Sequence, residues 1–331
     1  MLSERLKVVY RSPFTRALLA LVCIVILGVI FNADGAFFKW NTHRDMLRQI
    51  SVCGILACGM TLVIISGGID LSVGSLVGLN AVLFAILSIQ KGLSPVLAIG
   101  ICVVAGLSCG LVSGALVSRL RIQPFIATLA MMAFARGLAK WISGGQKVST
   151  SVQQADGTYS NVAVPGVFDF LNSAVFHENV AVVTLIFLAC LVVTGIVLSK
   201  LRWGRYVYAV GGNEEAARLS GVPVFGTKLL VYGLCGLLSA VAGICQAAQE
   251  QQGDPEAGAT YELTAIEIVV VGGTSLMGGR GGVGLTMLGA LTIGYLEKIL
   301  SINSIGLAPR LMLTGAIIVA AVIFQRGVKG K

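Results

Sequence analysis

The sequence predicts an all-α polytopic membrane protein that forms one transmembrane permease domain over residues 1–331. Of its 331 residues, 56% are hydrophobic and 12% are charged, whereas soluble domains carry about 25% charged residues. Long apolar runs recur along the whole chain, and 42 glycines are typical of membrane helices that pack closely through small residues. These observations argue against a soluble globular fold.

About ten membrane crossings are predicted from apolar runs that are long enough to span the hydrocarbon layer. Pro13 suits the first turn of the first helix, and that run is too long for the core of a cleavable signal peptide. The predicted crossings are 14–31, 47–66, 72–90, 95–118, 124–143, 180–199, 226–248, 262–278, 283–299 and 308–326.

The distribution of charge predicts the orientation. Ten crossings place both termini on the same side, and both are basic, with Arg5 and Lys7 at one end and Arg326 and Lys329 at the other. Basic residues favour the cytoplasmic side, so both termini are predicted to be cytoplasmic. The long loop 147–178 then lies outside. The net charge of +9 reflects these helix ends and does not indicate nucleic-acid binding.

Residues 213–221 predict a short water-compatible helix on the cytoplasmic side. Asn213 is a good N-cap, Glu214 and Glu215 suit the positive end of the helix dipole, and Gly221 followed by Pro223 ends the helix. The helix either meets a partner or lies at the interface without one. Its predicted members are Asn213, Glu214, Glu215, Ala216, Ala217, Arg218, Leu219, Ser220 and Gly221.

Two segments interrupt their helices with glycine pairs. Gly67 and Gly68 follow the second predicted crossing, and Gly272 and Gly273 fall within the eighth, which makes these two crossings short and broken. Paired broken segments in the two halves of a transporter indicate internal repeats and the substrate path.

Two polar features lie within apolar surroundings, where ionisable groups are costly and often functional. Asp70 either caps a helix that starts at Leu71 or contacts a substrate or an ion. Tyr261, Thr264 and Glu267 recur every three residues and therefore share one helix face. This face either lines a water-filled path or makes hydrogen bonds to another helix.

Other patterns are explained by packing. Arg136 and Lys140 are expected to extend toward the membrane interface, and Gly106, Gly110 and Gly114 to pack closely against another helix. Residues 279–284 match the GxGxxG pattern of dinucleotide-binding loops. No strand is predicted before them, so the match does not indicate a nucleotide site. The eight cysteines lie in apolar runs. We therefore predict no catalytic residue, no cofactor-binding or metal site, and no ATPase site in this chain.

Four sets of motifs resemble those of ribose-type ABC importer permeases, a family that also includes autoinducer-2 importers. The resemblance covers most of the chain, in the family order. The sets are 59–64 with 67–75, 123–129 with Arg136-Gly137, 204–206 running on to 213–221, and 261–263 with 272–276 and 278–279.

The resemblance implies a binding-protein-dependent inner-membrane component with a type II, vitamin-B12-importer-like architecture, in a bacterial inner membrane. Its partners would be a cytoplasmic tandem ATPase that holds ATP and Mg, a periplasmic sugar-binding protein, a second permease copy or a paralogue, and membrane lipid. Residues 213–221 would dock into the ATPase as the coupling helix, and 147–178 would be a periplasmic loop without a family pattern. The family commonly has Asp where this chain has Thr264; Glu267 would replace it, or the substrate would differ.

The sequence therefore favours the membrane subunit of an ATP-driven monosaccharide importer, with a ribose-like pentose as the expected sugar. A neutral sugar needs hydroxyl, amide and aromatic groups along its path. The alternatives are an ion-coupled secondary sugar transporter that uses Asp70 and Glu267, and a passive channel. The candidate path residues are Asp70, Asn80, Gln246, Tyr261, Thr264 and Glu267.

Overall fold

The computed structural model describes residues 12–153 and 159–327, which fold almost entirely into helices. In chain order the elements are α1 (Pro13–Ile30), α2 (Trp40–Ile65), α3 (Val73–Ala85), α4 (Pro95–Ser118), α5 (Pro124–Ile142), β1 (Ser151–Gln153), β2 (Tyr159–Asn161), α6 (Gly166–Asn172), β3 (Ala174–Val175), β4 (Val180–Ala181), α7 (Val182–Ser199), α8 (Arg202–Gly212), α9 (Glu214–Leu219), α10 (Val224–Glu250), α11 (Tyr261–Val271), α12 (Val283–Ile302) and α13 (Leu307–Gly327).

Eight helices of the described residues are long and apolar enough to cross a membrane. They are α1 to α5, α7, α10 and α12, where α3 continues through a π-helical turn to Gln90. Each matches one of the predicted crossings, and a polytopic membrane protein is confirmed. The second crossing, predicted to be short, is not: α2 has 26 residues, because the helix begins within the polar residues that precede the apolar run. The last helix, α13, coincides with the predicted crossing 308–326, but it is outside this set of eight. The total of ten crossings and the type II architecture stay predictions.

The predicted crossing 262–278 is wrong in its second half. Helix α11 ends at Val271, and Gly273 adopts a left-handed φ of 101°. The 11 residues of α11 span about 16 Å, which is too short for a hydrocarbon layer of about 30 Å. Apolar and small residues continue past the break, so composition alone could not separate the helix from the loop 272–282 that follows it.

The close packing predicted for the glycines of α4 is confirmed. A Cβ atom built on Gly106 would lie 2.7 Å from the Cβ of Ala240, and one on Gly110 would lie 3.1 Å from the Cα of Gly233. Both contacts are with α10, a helix of 27 residues that also packs on α2 and α3. The glycines therefore let two long helices touch through their backbones.

The described residues of the segment 147–178, together with β4 just after it, form a small helix and two short pairs of strands. Strand β1 pairs with β2, and β3 with β4, both antiparallel. Phe168 of α6 is buried and stacks on Phe84 of α3, with ring centroids 4.9 Å apart. Arg44, near the start of α2, donates to the carbonyl oxygen of Glu178 at 2.9 Å. The segment thus packs beside the start of α2.

Helix α2 separates two ends of the molecule. Its 26 residues give a length of about 39 Å. Its start lies beside the segment 147–178, and its final residue, Ile65, lies beside α8 and the loop 272–282. We call these the cavity end and the junction end of the molecule.

Candidate functional site

At the junction end, α9 is the short polar helix that the sequence predicts. The Oδ1 atom of Asn213 accepts a hydrogen bond from the backbone N–H of Ala216 at 3.0 Å, so Asn213 caps the helix. Gly221 adopts a φ of 80°, and α10 begins directly after Pro223. The helix itself covers Glu214–Leu219, with Asn213 as the N-cap and Ser220 as the C-cap. Its proposed contact with an ATPase stays a prediction.

Helix α9 packs against its neighbouring helices through one face. Ala217 is buried in a small apolar cluster with Val210 and Val224. Glu214 pairs with Lys228 of α10 at 2.6 Å. On the other face, the side chain of Leu219 is 82% exposed, which leaves a large apolar group free for a partner.

The residues just before α9 meet both glycine-interrupted segments. The backbone N–H of Gly279 donates to the carbonyl oxygen of Ile65 at 2.9 Å. A Cβ atom on Gly211 would overlap that same oxygen and would lie 2.8 Å from the Gly279 nitrogen. A Cβ on Gly278 would lie 2.5 Å from the carbonyl oxygen of Gly211. We call Ile65, Gly211, Gly278 and Gly279 the glycine junction.

The four predicted break glycines contribute differently. Gly67, with a φ of 83°, would place a Cβ 3.7 Å from the Cα of Gly211, so it borders the junction. Gly68 instead packs on the hydroxyl group of Tyr232, and Gly272 packs on the backbone of α12. Gly273 lies beside Pro13 at the start of α1. Gly68 and Gly272 therefore serve helix packing, whereas Gly67 and Gly273 supply left-handed turns.

Asp70 is fully buried in the break between α2 and α3. Its Oδ1 atom accepts from the backbone N–H of Ser72 at 2.9 Å and from the Ser72 hydroxyl at 2.6 Å. Helix α3 begins at Val73, two residues later than the predicted start. The side chain thus stabilises the turn that leads into the helix, while a direct contact with a substrate or an ion stays untested.

Asn80 lies within the helix packing. It is fully buried, and its Nδ2 atom donates to the carbonyl oxygen of Leu76 at 2.8 Å. A Cβ atom on Gly243 of α10 would lie 2.9 Å from the Cβ of Asn80. The side chain is therefore held at the contact between α3 and α10.

Three predicted path residues come together at the cavity end. Gln246, Tyr261 and Thr264 line a cavity of about 520 Å³ between α2, α10, α11, α12 and α13. The hydroxyl group of Tyr261 donates to the Oε1 atom of Gln246 at 3.5 Å. The other residues that line the cavity were not predicted from the sequence. They are Gln49, Ile50, Cys53, Gln249, Thr260, Leu263, Glu297, Leu307, Arg310, Leu311 and Gly315.

Glu267 departs from the polar stripe. It is 1% exposed and does not line the cavity, and neither side-chain oxygen has a hydrogen-bond partner among the described residues. The stripe of three therefore divides, because Tyr261 and Thr264 face the cavity and Glu267 is enclosed one turn further along α11.

Arg136 and Lys140 of α5 do more than extend toward the membrane interface. The Nη1 atom of Arg136 donates to the carbonyl oxygens of Pro255 and Ala257, the latter at 3.0 Å. Lys140 pairs with Glu256 at 2.5 Å. These contacts hold the segment between α10 and α11, and no pattern in the sequence predicts that this segment lies beside α5.

Comparison with known proteins gives a consistent result. Residues 44–322 match a family described as branched-chain amino acid transport system / permease component. The chain is 38% identical to the ribose import permease of Escherichia coli K12 over 95% of this chain and 96% of that protein. It is 34% identical to the fructose import permease of Rhizobium meliloti, over 97% and 87%. It is 38% identical to the L-arabinose transport permease of Escherichia coli K12, over 92% and 89%. No solved structure matches.

Proposed function

Because the chain belongs to the family of branched-chain amino acid transport system permease components, we propose that it is the membrane subunit of an ATP-driven monosaccharide importer. The observation that carries this proposal is the likeness to ribose, fructose and arabinose permeases over more than 90% of the chain. Such permeases are transport subunits and not enzymes. The sugar is a ribose-like pentose, in keeping with the ribose permease relatives.

The proposed complex contains three further components. A tandem ATPase on the cytoplasmic side binds ATP and Mg, and a periplasmic binding protein delivers the sugar. A second permease subunit completes the path. In this arrangement the junction end faces the cytoplasm and the cavity end faces the periplasm, which agrees with the basic residues Lys200, Arg202 and Arg205 near α9.

Helix α9 is the proposed coupling helix. The glycine junction supports this role. It brings the backbones of α2, α8 and the loop 272–282 into contact at Gly211, two residues before the N-cap of α9. Close-packed backbone contacts deform little. A displacement of α9 by the ATPase would therefore pass to both glycine-interrupted segments.

The cavity at the opposite end is the proposed entrance for the sugar. Its volume of about 520 Å³ falls within the range of small-molecule sites. Gln246 and Tyr261 supply amide and hydroxyl groups that can bond to sugar hydroxyls. Glu297 and Arg310 add one charge of each sign to the wall.

The decisive experiment reconstitutes the complex with its ATPase and binding protein in proteoliposomes. Leu219→Asp places a charge on the exposed apolar surface of α9 and should abolish the stimulation of ATP hydrolysis by loaded binding protein, together with sugar uptake. Leu120→Asp is the matched control, because Leu120 is 63% exposed in the loop between α4 and α5. Equal uptake by the Leu219 variant and the wild type would contradict the docking role.

Glu267 provides the specific reason to test the ion-coupled alternative. Its buried carboxyl group without a partner among the described residues is the kind of group that binds protons or cations in transporters. In Asp70 only the Oδ1 atom is engaged with Ser72, since its buried Oδ2 atom has no hydrogen-bond partner among the described residues. The alternative requires sugar uptake by this subunit alone under an ion gradient, and loss of that uptake in Asp70→Asn and Glu267→Gln. We expect no uptake without ATP.

A further inference from the structure

The segment 251–260 joins α10 to α11 and lies directly against α3. A Cβ atom on Gly78 of α3 would lie 2.8 Å from the carbonyl oxygen of Ala257 and 3.0 Å from that of Pro255. Gly253 makes a two-way backbone pairing with Val148, with both N···O distances at 2.8 Å. The segment is therefore packed on the helices beneath it through its backbone.

Three basic side chains bind this segment from the side of α5. Arg136 donates to the carbonyl oxygens of Pro255 and Ala257. Lys140 pairs with Glu256 at 2.5 Å, and Lys147 pairs with Asp254 at 2.9 Å. The Arg136 contact is the inner one, since Arg136 is half-buried while Lys140 and Lys147 are exposed.

The end of the segment forms part of the cavity wall. Thr260 and Tyr261 line the cavity, and Tyr261 reaches across to Gln246 of α10. Helix α11 itself packs mainly on α2, α12 and α13, whereas α5 packs on α3 and α4. The segment thus connects the helices around α11 with the helices around α5. Helix α5 holds it at Pro255, Glu256 and Ala257.

We propose that Arg136 is a positioning residue for sugar entry: by holding the carbonyl groups of Pro255 and Ala257, it fixes where Thr260 and Tyr261 stand at the cavity wall. Two exposed ion pairs contribute little by themselves. A guanidinium that bonds two backbone carbonyls contributes more, because hydrogen bonds to charged groups are the stronger ones. Loss of Arg136 therefore frees the segment, while loss of Lys140 loosens it slightly.

This proposal rests on the proposed function for its meaning in transport, but its first measurement does not. In right-side-out vesicles that contain the full complex, Ala257→Cys, a small change at a buried position of the segment, is labelled with a membrane-impermeant maleimide. Adding Arg136→Met should raise the labelling rate about tenfold. Arg136→Lys retains a donor and the charge, and should restore most of the slow labelling.

Two controls define the background. The parent chain without Ala257→Cys reports the labelling of its own eight free cysteines, and Lys91→Met removes a basic side chain from the exposed loop between α3 and α4. After labelling, the complex is solubilised and isolated by size-exclusion chromatography, and only the assembled fraction of each variant is compared. Lys140→Met provides a second, milder variant, with an expected increase of about twofold.

Transport is the second measurement. Sugar uptake at saturating loaded binding protein should fall about fivefold in Arg136→Met and recover in Arg136→Lys. Unchanged labelling in Arg136→Met, or failure of Arg136→Lys to restore the slow labelling, would overturn the positioning role. If the wild-type complex moved no sugar at all, the proposed function would fail, whereas the labelling comparison would still decide the role of Arg136.

Discussion

The junction end and the cavity end of α2 are held together by different kinds of contact. At the junction end, Gly211, Gly278 and Gly279 bring backbones together, with no side chain between them. At the cavity end, the segment 251–260 also packs through its backbone on Gly78, but long side chains bridge the elements as well: Arg136 reaches the carbonyl oxygen of Ala257, and Tyr261 reaches Gln246. Backbone contacts deform little, while long side chains can adopt other rotamers. Under the proposed function, the rigid contacts at the junction end suit the transmission of movement from the ATPase. The adjustable side chains at the cavity end suit contact with a sugar.

The sharpest way to break this comparison is to add one methyl group at the junction. Gly211→Ala would place a Cβ against the carbonyl oxygen of Ile65, and the backbone has no space to yield. We expect a loss of stability of about 3 kcal/mol or more, measured as a lower melting temperature in detergent. Gly212→Ala is the matched control, because no other atom lies within 4 Å of its Cβ position. Equal melting of the two variants would show that the junction is not tightly packed.

The second test removes one hydroxyl group at the cavity end. Tyr261→Phe eliminates the hydrogen bond to Gln246 but retains the ring. We expect sugar uptake to fall about fivefold, the effect of one hydrogen bond, with little change in melting temperature. Tyr295→Phe is the control, since its hydroxyl group contacts His43 at 3.3 Å and does not line the cavity. A similar loss in both variants would argue against a role for the cavity in uptake.

A third test loosens α9 without touching the junction. Asn213→Ala removes the side chain that caps the helix and should cost about 1 kcal/mol. Hydrogen exchange of the amides of residues 214–219 should then be about fivefold faster. Asn213→Asp retains an accepting oxygen and should exchange as slowly as the wild type. Fast exchange in the wild type itself would mean that the cap does not stabilise the helix.

The smallest effect concerns pH at the segment 251–260. The hydrogen bond to Asp254 raises the pKa of Lys147 above 10.5, so its stabilisation is complete below that pH and is lost only as pH rises through the folded value. Burial raises the pKa of Asp254, but the hydrogen bond from Lys147 and other favourable contacts outweigh it and hold the pKa below 3.8.

The contribution of Asp254 is therefore complete above its ordinary pKa and is lost as pH falls through the lower folded value. We expect the difference in melting temperature between the wild type and Lys147→Met to stay constant from about pH 5 to about pH 9. A difference that varied within this window would indicate that another titrating group controls the segment.

Local signals predicted the features that depend on neighbouring residues. The cap at Asn213, the breaks at Gly67 and Gly273, and the glycine packing of α4 follow from turn chemistry, backbone freedom and residue size. The helix boundary at Val271 was missed, because a run of small apolar residues continues past it.

Contacts between distant segments could not be predicted in the same way. Arg136 and the carbonyl oxygen of Ala257 are 121 positions apart, and a backbone acceptor carries no sequence signal. Among the cavity residues, Gln249 and Glu297 lie in the last two turns of their helices and Gln49 lies in the polar first half of α2, where polar residues are ordinary. The one available hint was the cluster Gln246, Gln249 and Glu250 on successive turns at the end of α10.

The sparse attachment of α9 has a consequence for engineering. The Glu214–Lys228 pair and the burial of Ala217 attach it to its neighbours, and the cap at Asn213 stabilises the helix itself. A segment that keeps these three residues could be exchanged as a cassette between permeases, since the glycine junction precedes it and none of its side chains enters that contact. Under the proposed function, such chimaeras would change the ATPase with which the permease pairs, without changing the sugar that it carries.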